Sequence, residues 1–308
     1  MSVLVLSEDD VRELLPLDEC IEAMEGVLRE LARGELHQPL RSMSRPPEGE
    51  SLIGLMPAHR GGDRPVWSLK EIIVTPGNPA RGLDPHQGAV LLHDGETGEL
   101  RAVLNASPIT EIRTAAVSAV ATRALARPDA AVVAILGGGI QARSHARAMR
   151  TVLPEAEVRT WKRSDGGTPE PTLDGAHVVC TCTSAREPIL HRDWLGPGTH
   201  VNAVGSSLPT ARELDTQTVA DSRLFVDRRE SALSEAGDYL LAAAEGAVDR
   251  EHILAELGEV LIGLHPGRTA HDDLTVFESL GIAVEDLAAA ELVVAKARER
   301  GIGTEVGF

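Results

Sequence analysis

The chain has 308 residues, 43% of them hydrophobic and 25% charged, which is typical of a globular protein with room for two domains. Its formal net charge of −17 argues against nucleic acid or an anionic membrane as a partner. Aromatic residues make up only 2% of the chain, so the core must consist mainly of Leu, Val, Ile and Ala.

The three cysteines, Cys20, Cys180 and Cys182, do not have the number or spacing of a disulfide framework or of a zinc or redox motif. We therefore expect small buried thiols in a protein of the reducing cytoplasm. The N-terminus lacks the pattern of a signal peptide, and no apolar stretch approaches the roughly 20 residues of a membrane span.

The first hundred residues predict an α+β unit dominated by antiparallel hairpins. Ser7, followed by three acidic residues, is a typical helix N-cap, and apolar residues recur at helical spacing from Leu17 to Arg33. A stretch rich in Pro and Gly follows from Arg41 to Gly62. Strands are then predicted at 66–74, 88–93 and 100–104, with a turn at 94–98, and an Ala-rich helix at 110–125.

The most informative motif comes next. Residues 131–136 are apolar on both faces, as expected of a strand inside a parallel sheet, and a helix is predicted over 142–149. Between them Gly137, Gly139 and Ala142 fit the pattern G-x-G-x-x-A. Such a turn lets the backbone and a helix N-terminus approach the pyrophosphate of a dinucleotide. The alternative is a purely structural turn.

Strands and helices alternate downstream, which predicts an α/β fold with a Rossmann-type, doubly wound parallel sheet. Only twelve residues separate Trp161 from Asp174, without a helical pattern, so the crossover helix there should be short or absent. A long Ala-rich helix over 284–298, capped by Gly301, closes the chain. The remaining strands are predicted at 158–161, 176–181, 200–204 and 223–226, and a further helix at 231–243.

The end of the second predicted strand of the parallel sheet, at 158–161, indicates which cofactor is preferred. An NAD-specific enzyme usually places Asp or Glu there, against the ribose 2′-hydroxyl. Here the strand ends with Trp161, Lys162, Arg163 and Ser164, whose two cations and hydroxyl suit a 2′-phosphate. We therefore expect NADP(H) to be preferred, with NAD(H) as the alternative. The alternative interpretation is that these residues form an ordinary exposed basic turn.

Several blocks, in a characteristic order, cover most of the chain. They are residues 54–58 followed by Lys70, His86-Gln87 before 90–92, Ile109-Thr110 before 113–119, the glycine turn with Gln141-Ala142, 202–205, 225–227, 235–238, 255–259 and 276–281. Together they resemble the ornithine cyclodeaminase/mu-crystallin family, and most closely its mu-crystallin-like ketimine reductase branch.

The resemblance implies a domain organisation and an assembly. Residues 1–112 with 283–308 would form a substrate-binding and dimerisation domain, and residues 113–282 a dinucleotide-binding domain. The active site would lie in the cleft between them, and the protein would be a homodimer. Its partner would be a small imine or amino acid that carries a carboxylate next to the reacting carbon.

The resemblance also assigns substrate-binding residues: Arg41, Met56, Lys70 and Arg113. Cations are the expected partners of a carboxylate, and a guanidinium can donate two parallel hydrogen bonds to it. From its local pattern alone, each of the three cations could instead be a solvated surface charge.

Asp227 and Lys70 are the predicted catalytic residues. Asp227 ends a strand, at the rim of the ligand crevice of a doubly wound fold, and would exchange a proton with the substrate nitrogen or hold an iminium. Its alternative role is to cap the following helix. The predicted cofactor-binding residues are Thr114, Gly137, Gly139, Ile140, Gln141, Ala142, Trp161, Lys162, Arg163, Ser164, Thr181, Cys182, Thr183, Val204, Gly205, Leu280 and Gly281.

No metal site is predicted. His86, His93, His145 and His191 are scattered single residues without the spacing of metal ligands, so surface or structural roles are expected of them.

Four activities compete. The resemblance favours an NAD(P)H-dependent oxidoreductase that reduces a cyclic ketimine carboxylate to an amino acid. The alternatives are an ornithine or lysine cyclodeaminase with bound NAD⁺, an alanine-type amino-acid dehydrogenase, and a dinucleotide-binding protein without turnover. Cyclodeaminases of the family carry an acidic residue two positions before Met56, where this chain has Gly54. Residues 105–108, Asn-Ala-Ser-Pro, also depart from the Asp-Gly often found there, which leaves the local loop geometry open.

Overall fold

Two units make up the structure, a computed structural model that describes residues 2–308 apart from the side chain of Pro79. The first unit consists of Met1–Arg113 and Ile282–Phe308, and the second of Thr114–Gly281.

The strands, in chain order, are β1 (Ser2–Leu6), β2 (Leu36–His37), β3 (Ser42–Ser44), β4 (Leu52–Arg60), β5 (Val66–Val74), β6 (His86–Asp94), β7 (Leu100–Asn105), β8 (Val132–Leu136), β9 (Glu157–Trp161), β10 (Val178–Thr181), β11 (His200–Ala203), β12 (Arg223–Val226), β13 (Ile253–Glu256), β14 (Thr275–Glu278) and β15 (Thr304–Gly307).

The α-helices are α1 (Glu8–Leu14), α2 (Leu17–Ala32), α3 (Ala106–Leu125), α4 (Ile140–Val152), α5 (Glu170–Leu173), α6 (Thr216–Asp221), α7 (Arg229–Glu235), α8 (Gly237–Ala244), α9 (Leu257–Leu261) and α10 (Ala283–Arg300). Within residues 2–308, no helix is both long and apolar enough to cross a membrane.

A mixed sheet forms the centre of the first unit. Among the described residues it has eight strands, in the order β15-β1-β7-β6-β5-β4-β2, with β3 also paired to β4. Side chains alternate across β5: Ser68, Lys70 and Ile72 are buried on one face, whereas Trp67 and Ile73 are exposed on the other. The Ala-rich α10 packs against α2 and against β4, β5 and β6. The unit's central helix therefore lies against this sheet.

Strand β4 was not predicted, because it lies inside the stretch rich in Pro and Gly. Its Pro57 is tolerated for a geometric reason: β2 pairs with residues 59–60 and β3 with residues 53–55, so Pro57 falls between the two pairings. The expectation of a mainly antiparallel unit is confirmed, but β1 pairs with β7 in parallel.

Helix α3 begins at Ala106, four residues before the predicted start. Asn105 Oδ1 accepts a hydrogen bond from the backbone N–H of Ser107 at 3.0 Å, and Pro108 lies in the first turn, where its missing N–H costs nothing. Ser107 Oγ also donates to the carbonyl of His86 at 2.7 Å. The segment 105–108, whose geometry the sequence left open, is therefore the start of this helix.

The second unit contains a parallel sheet, and the predicted Rossmann-type fold is confirmed. Its strands in the described part of the chain follow the order β13-β12-β14-β11-β10-β8-β9, and every neighbouring pair is parallel. The chain runs outward from β8 to β9 and then returns to β10 on the other side of β8. The strand order therefore reverses between β8 and β10, where such folds bind ligands.

Two helices of this unit bear on the expectations from sequence. The crossover after β9 holds only the four residues of α5, as its length suggested. The helix predicted over 231–243 is instead two helices, α7 and α8, that break at Ala236. The backbone N–H of Gly237 donates to the carbonyl of Ser206 at 2.8 Å, and a Cβ on Gly237 would lie 1.9 Å from the carbonyl oxygen of Ala211. This tertiary contact interrupts the helix.

Candidate functional site

The glycine turn after β8 is shaped for close approach. Gly137 has a φ of 145°, and a Cβ there would lie 2.4 Å from the carbonyl oxygen of Cys182, so only glycine fits. Gly139 is the N-cap of α4 and makes no side-chain cap hydrogen bond; a Cβ on it would meet no atom within 4 Å. The turn thus leaves open space in front of the N-terminus of a helix of 13 residues, which fits a pyrophosphate.

The predicted cofactor residues of the second unit mostly follow strand ends. Because the strands are parallel, the residues after them gather at one edge of the sheet. Gly137, Lys162, Cys182, Val204 and Asp227 are the first residues beyond β8, β9, β10, β11 and β12. Thr181 ends β10; Thr183, Gly205, Leu280 and Gly281 follow strands; and Ile140, Gln141 and Ala142 form the first turn of α4. Thr114 does not follow a strand; it is buried within α3.

The turn after β9 exposes its basic residues but contains an acid that the sequence analysis did not consider. Lys162, Arg163 and Ser164 are all exposed. Asp165 Oδ2 accepts the backbone N–H of Lys162 at 3.3 Å, and its other oxygen lies 3.6 Å from Lys162 Nζ. Trp161 Nε1 donates to the carbonyl of Gly166 at 3.4 Å. Lys162 therefore already has a carboxylate neighbour.

Asp227 is buried and holds a neighbouring loop. Its Oδ2 accepts the backbone N–H groups of Leu280 and Gly281, each at 2.7 Å, and its Oδ1 accepts that of Arg228 at 2.7 Å. Arg228, and not Asp227, is the N-cap residue of α7. The carboxylate therefore ties the end of β12 to the loop after β14.

Three buried acids near these loops were missed from the sequence: Glu213, Asp238 and Glu278. Glu213 accepts the backbone N–H and the hydroxyl of Thr183 at 2.7 and 2.6 Å, and the N–H of Gly205 at 2.6 Å. It thereby joins the loops after β10 and β11. The sequence blocks 235–238 and 276–281 contain the other two acids, but periodicity and spacing gave them no role.

Burial without a cation raises the pKa of each of these acids. Desolvation raises the pKa of Asp238 to about 7, and the neighbouring Glu213 adds to the effect. It raises the pKa of Glu278 well above the usual value, with Asp238 as the second cause. Ser206 Oγ donates to Glu278 at 3.0 Å, and the N–H groups of Glu213 and Leu214 donate to Asp238. Burial also raises the pKa of Glu213, although its hydrogen bonds from Thr183 and Gly205 oppose the effect.

In the first unit, Lys70 and Arg113 lie together with two acids. Lys70, on β5, is 2% exposed, and Arg113, on α3, is 4% exposed, so neither is the solvated surface charge that its local pattern allowed. Lys70 Nζ lies 2.8 Å from Asp286 Oδ2. Arg113 Nε donates to Asp286 Oδ1 at 3.1 Å, and its Nη1 to Glu285 Oε2 at 2.7 Å. The sequence analysis did not select Glu285 or Asp286.

The remaining predicted substrate residues surround this cluster. Met56 is buried opposite Lys70 in the β4–β5 pairing, and Arg41 is half-buried and close enough to act on Lys70 electrostatically. Burial lowers the pKa of Lys70, the charges of Arg113 and Arg41 add to this effect and Asp286 opposes it, and the net result is a pKa of about 8. A cation with such a pKa can exchange a proton near neutral pH.

Gly54 and His145 both lie close to other residues of the protein. Gly54 lies opposite Ile72, and a Cβ there would be 3.3 Å from the Cγ2 of Ile72, so a larger side chain would be crowded. His145 is buried, with its ring nitrogens near Ser118 Oγ at 3.0 Å and the Gln141 carbonyl at 2.8 Å. Burial lowers its pKa to about 4, which keeps the ring neutral.

Comparison with known proteins gives one family. A profile described as "Ornithine cyclodeaminase/mu-crystallin family" matches residues 1–172 and 166–301. The ketimine reductase mu-crystallin of Rattus norvegicus is 38% identical over 308 residues, which cover 94% of this chain and 95% of the relative. The chain belongs to the ornithine cyclodeaminase/mu-crystallin family.

Solved structures of this family agree over the whole chain. The Δ1-pyrroline-2-carboxylate reductase of Thermococcus litoralis, in complex with NADH and L-proline, has a TM-score of 0.91 and 33% identity, covering 99% of this chain and 100% of that one. An archaeal alanine dehydrogenase dimer with bound NAD has a TM-score of 0.92 and 29% identity, and both chains are covered completely. Relatives of this fold thus bind nicotinamide dinucleotides.

Proposed function

We propose that this chain is an oxidoreductase that reduces a ketimine carboxylate to an amino acid, with a nicotinamide dinucleotide as the hydride donor. The observation that carries the proposal is the pair of buried cations, Lys70 and Arg113, in a member of a family that includes ketimine and pyrroline-2-carboxylate reductases. The bound dinucleotide supplies hydride to the imine carbon, and the nitrogen gains a proton.

Lys70 and Arg113 would hold the substrate carboxylate. Two cations beside each other in a dry environment bind an anion far more strongly than they would in water. Lys70, with its pKa of about 8, is also the group best suited to deliver a proton near neutral pH. We assign to Asp227 the fixing of the loop at 280–281, because backbone N–H groups already donate to both of its oxygens.

A screen of cyclic imines tests the function. We expect the protein to oxidise NADPH or NADH with pyrroline-2-carboxylate or piperideine-2-carboxylate, as followed by absorbance at 340 nm. Lys70→Met should lose most of this activity and keep its cofactor affinity. Lys296→Met is the matched control, since Lys296 is also largely buried in the first unit but pairs with Glu19. If none of the carboxylate-bearing imines supported oxidation of the cofactor, the proposed function would be refuted.

Cyclodeamination is the competing activity within the family. A cyclodeaminase would release ammonia from ornithine or lysine with NAD⁺ alone. Gly54 provides no counter-charge for a distal ammonium, and Ile72 crowds the place where an acidic side chain would start. We therefore expect no ammonia; release that exceeds imine reduction would assign the cyclodeaminase activity instead.

Preference for NADPH over NADH is the finer part of the proposal. Lys162 and Arg163 are exposed at the end of β9, where a 2′-phosphate would be bound. Arg163→Asp should weaken NADPH binding about tenfold or more and NADH binding less, since one charge-assisted contact is lost. Asp165→Asn, which removes the carboxylate beside Lys162, should act in the opposite direction. Equal affinities in the parent protein would contradict the preference.

A homodimer is the proposed assembly. The face of the first unit's sheet that points away from α10 is incompletely buried and mostly apolar apart from Glu71 and Gln87, with Ile53 and Ile73 paired across β4 and β5. Leu69 pairs with Leu91 and Leu91 with Val103 along the same face. A second copy of this chain has the same face, so a two-fold contact would cover both. The archaeal alanine dehydrogenase relative is itself a dimer.

A further inference from the structure

The two cations proposed to bind the substrate carboxylate share one acid. Asp286 lies 2.8 Å from Lys70 Nζ through Oδ2 and accepts Arg113 Nε at 3.1 Å through Oδ1. The three side chains come from β5, α3 and α10, and each is at most 4% exposed. A single carboxylate therefore fixes the spacing of two cations from separate elements.

The neighbouring acid has a different set of contacts. Glu285 Oε2 accepts Arg113 Nη1 at 2.7 Å and the backbone N–H of Ile282 at 3.3 Å, which caps α10. Consecutive residues of a helix point about 100° apart, so Glu285 and Asp286 reach different partners. Asp286 has direct contact with both cations, whereas Glu285 forms an ion pair with Arg113.

Because Lys70 and Arg113 are buried, the negative charge of Asp286 matters for the state of both cations. A buried cation without a partner is costly, and an ammonium escapes the cost by losing its proton, whereas a guanidinium stays charged. Lys70 faces the like charges of Arg113 and Arg41 as well as a dry environment, and Asp286 is the acid in contact with it. The loss of Asp286 would therefore change the charge of Lys70 and the orientation of Arg113.

We propose that Asp286 is a positioning residue of the substrate site, which keeps Lys70 protonated and holds its ammonium beside the Arg113 guanidinium to receive the substrate carboxylate. The inference rests on the proposed function for the carboxylate, but the state of Lys70 can be measured without any substrate.

The groups that face Lys70 act on its pKa in opposite directions. Burial, Arg113 and Arg41 lower it, and Asp286 raises it, which leaves a value of about 8. Glu285 and the Cys20 thiol lie further along, against Arg113. Removal of the opposing charge of Asp286 should lower the pKa of Lys70 by about one unit or more.

Side-chain NMR measures this directly, because the chain has only three lysines: Lys70, Lys162 and Lys296. With lysine labelled at Cε and Nζ, three signals can be assigned by single Lys→Arg variants and titrated from pH 6 to 11. We expect Lys70 to titrate near pH 8 in the parent protein. In Asp286→Asn its midpoint should move about one unit lower or more, and in the matched control Glu285→Gln it should move much less.

Kinetics with pyrroline-2-carboxylate test the effect of Asp286 on the substrate site. In Asp286→Asn, KM should rise as pH increases from 6 to 8.5, by about tenfold more than in the parent, because the Lys70 ammonium is lost earlier. In Glu285→Gln, KM should differ from the parent value by a similar factor at each pH. Asp286→Glu, which retains the charge, should restore part of the parent profile. Thermal melts and NADPH affinity identify variants that have not folded.

An unchanged Lys70 midpoint in folded Asp286→Asn would overturn the proposal, as would an equal shift in Glu285→Gln. A loss of activity that is the same at every pH would also overturn it, since that is what a merely structural residue produces. Absence of imine reduction in the parent would refute the proposed function, and the NMR titration would still decide the role of Asp286 toward Lys70.

Discussion

At the scale of single residues, two glycines of one motif respond differently to an added side chain. A Cβ on Gly137 would lie 2.4 Å from a carbonyl oxygen, on a backbone with a φ of 145°. Gly139 has a φ of −81° and open space where its Cβ would lie. At position 137 the protein's own backbone requires glycine. At position 139 glycine would be required only if a ligand occupied the open space.

Alanine substitutions separate the two causes. Gly137→Ala should lower both the melting temperature and the NADPH affinity, because the turn must shift to avoid Cys182. Gly139→Ala should leave the melting temperature within experimental error and weaken NADPH about tenfold or more, because the methyl group occupies the place of a pyrophosphate. Fluorescence titration and thermal melts measure both; full NADPH affinity in Gly139→Ala would argue that the turn is structural.

Asp227 tests a structural role against a catalytic one. In Asp227→Asn, an amide NH₂ must face a backbone N–H of Arg228, Leu280 or Gly281, which leaves a buried donor unpaired and costs about 1–3 kcal/mol. We expect lower stability by chemical denaturation and weaker cofactor binding. If instead turnover fell by roughly 10²–10⁴-fold with stability unchanged, Asp227 would be a general acid or base.

At the scale of elements, periodicity predicted those with a clear pattern and end signals. The strands at 66–74 and 223–226 and the closing helix with its Gly301 cap were predicted within a few residues. Strand β14 was not predicted, and the break between α7 and α8 depends on a hydrogen bond to Ser206. Such features depend on contacts that no local pattern contains.

The site was predictable in part for the same reason. The alternation of β5 places Lys70 on one face of the strand but does not tell which face α10 covers. The partner of Arg113, Asp286, lies 173 positions further along the chain. Residue types and family blocks therefore selected the cations, and only the fold could reveal the acids that hold them.

The loops after β10 and β11 rest on the buried acids, and this support depends on pH. Burial raises the pKa of Asp238 from 3.8 to about 7, so the folded state binds this proton more tightly than the unfolded state does. The stability from this group is fully present below about pH 4 and is lost as pH rises through 7. Asp238→Asn cannot ionise, and its unfolding free energy relative to the parent should rise by at least about 1 kcal/mol between pH 5 and 8.

Urea denaturation at the two pH values measures the difference, and Asp215 is a control whose pKa is shifted in the opposite direction. Burial alone would raise the pKa of Asp215, but hydrogen bonds, chiefly from Thr218, lower it below its usual value, so its contribution is fully present at pH 5 and above and is lost only at more acidic pH. Asp215→Asn should therefore be equally destabilising at pH 5 and at pH 8. The same trend in both variants would contradict the assignment of Asp238.

At the scale of the whole molecule, the uncovered face of the first unit's sheet is the proposed dimer interface. We expect the 32.7 kDa chain to run at twice its mass in light scattering after gel filtration. Ile73→Lys, which puts a charge on that face, should shift the protein toward the monomer. Leu264→Lys is the matched control, because Leu264 is 71% exposed and belongs to the second unit. A monomeric parent, or a dimer unaffected by Ile73→Lys, would refute the interface.

The short crossover after β9 has a consequence for the behaviour of the protein in solution. β9 is the last strand of its sheet, no residue of it is buried, and the four residues of α5 cover little of it. A bare strand edge can recruit strands from other chains and seed aggregates. Here Glu157 and Arg159 form an ion pair on that strand, and Arg159 also donates to the carbonyl of Asp174. We expect these two charges to oppose the pairing of strands from other chains with this edge, which the short α5 leaves uncovered.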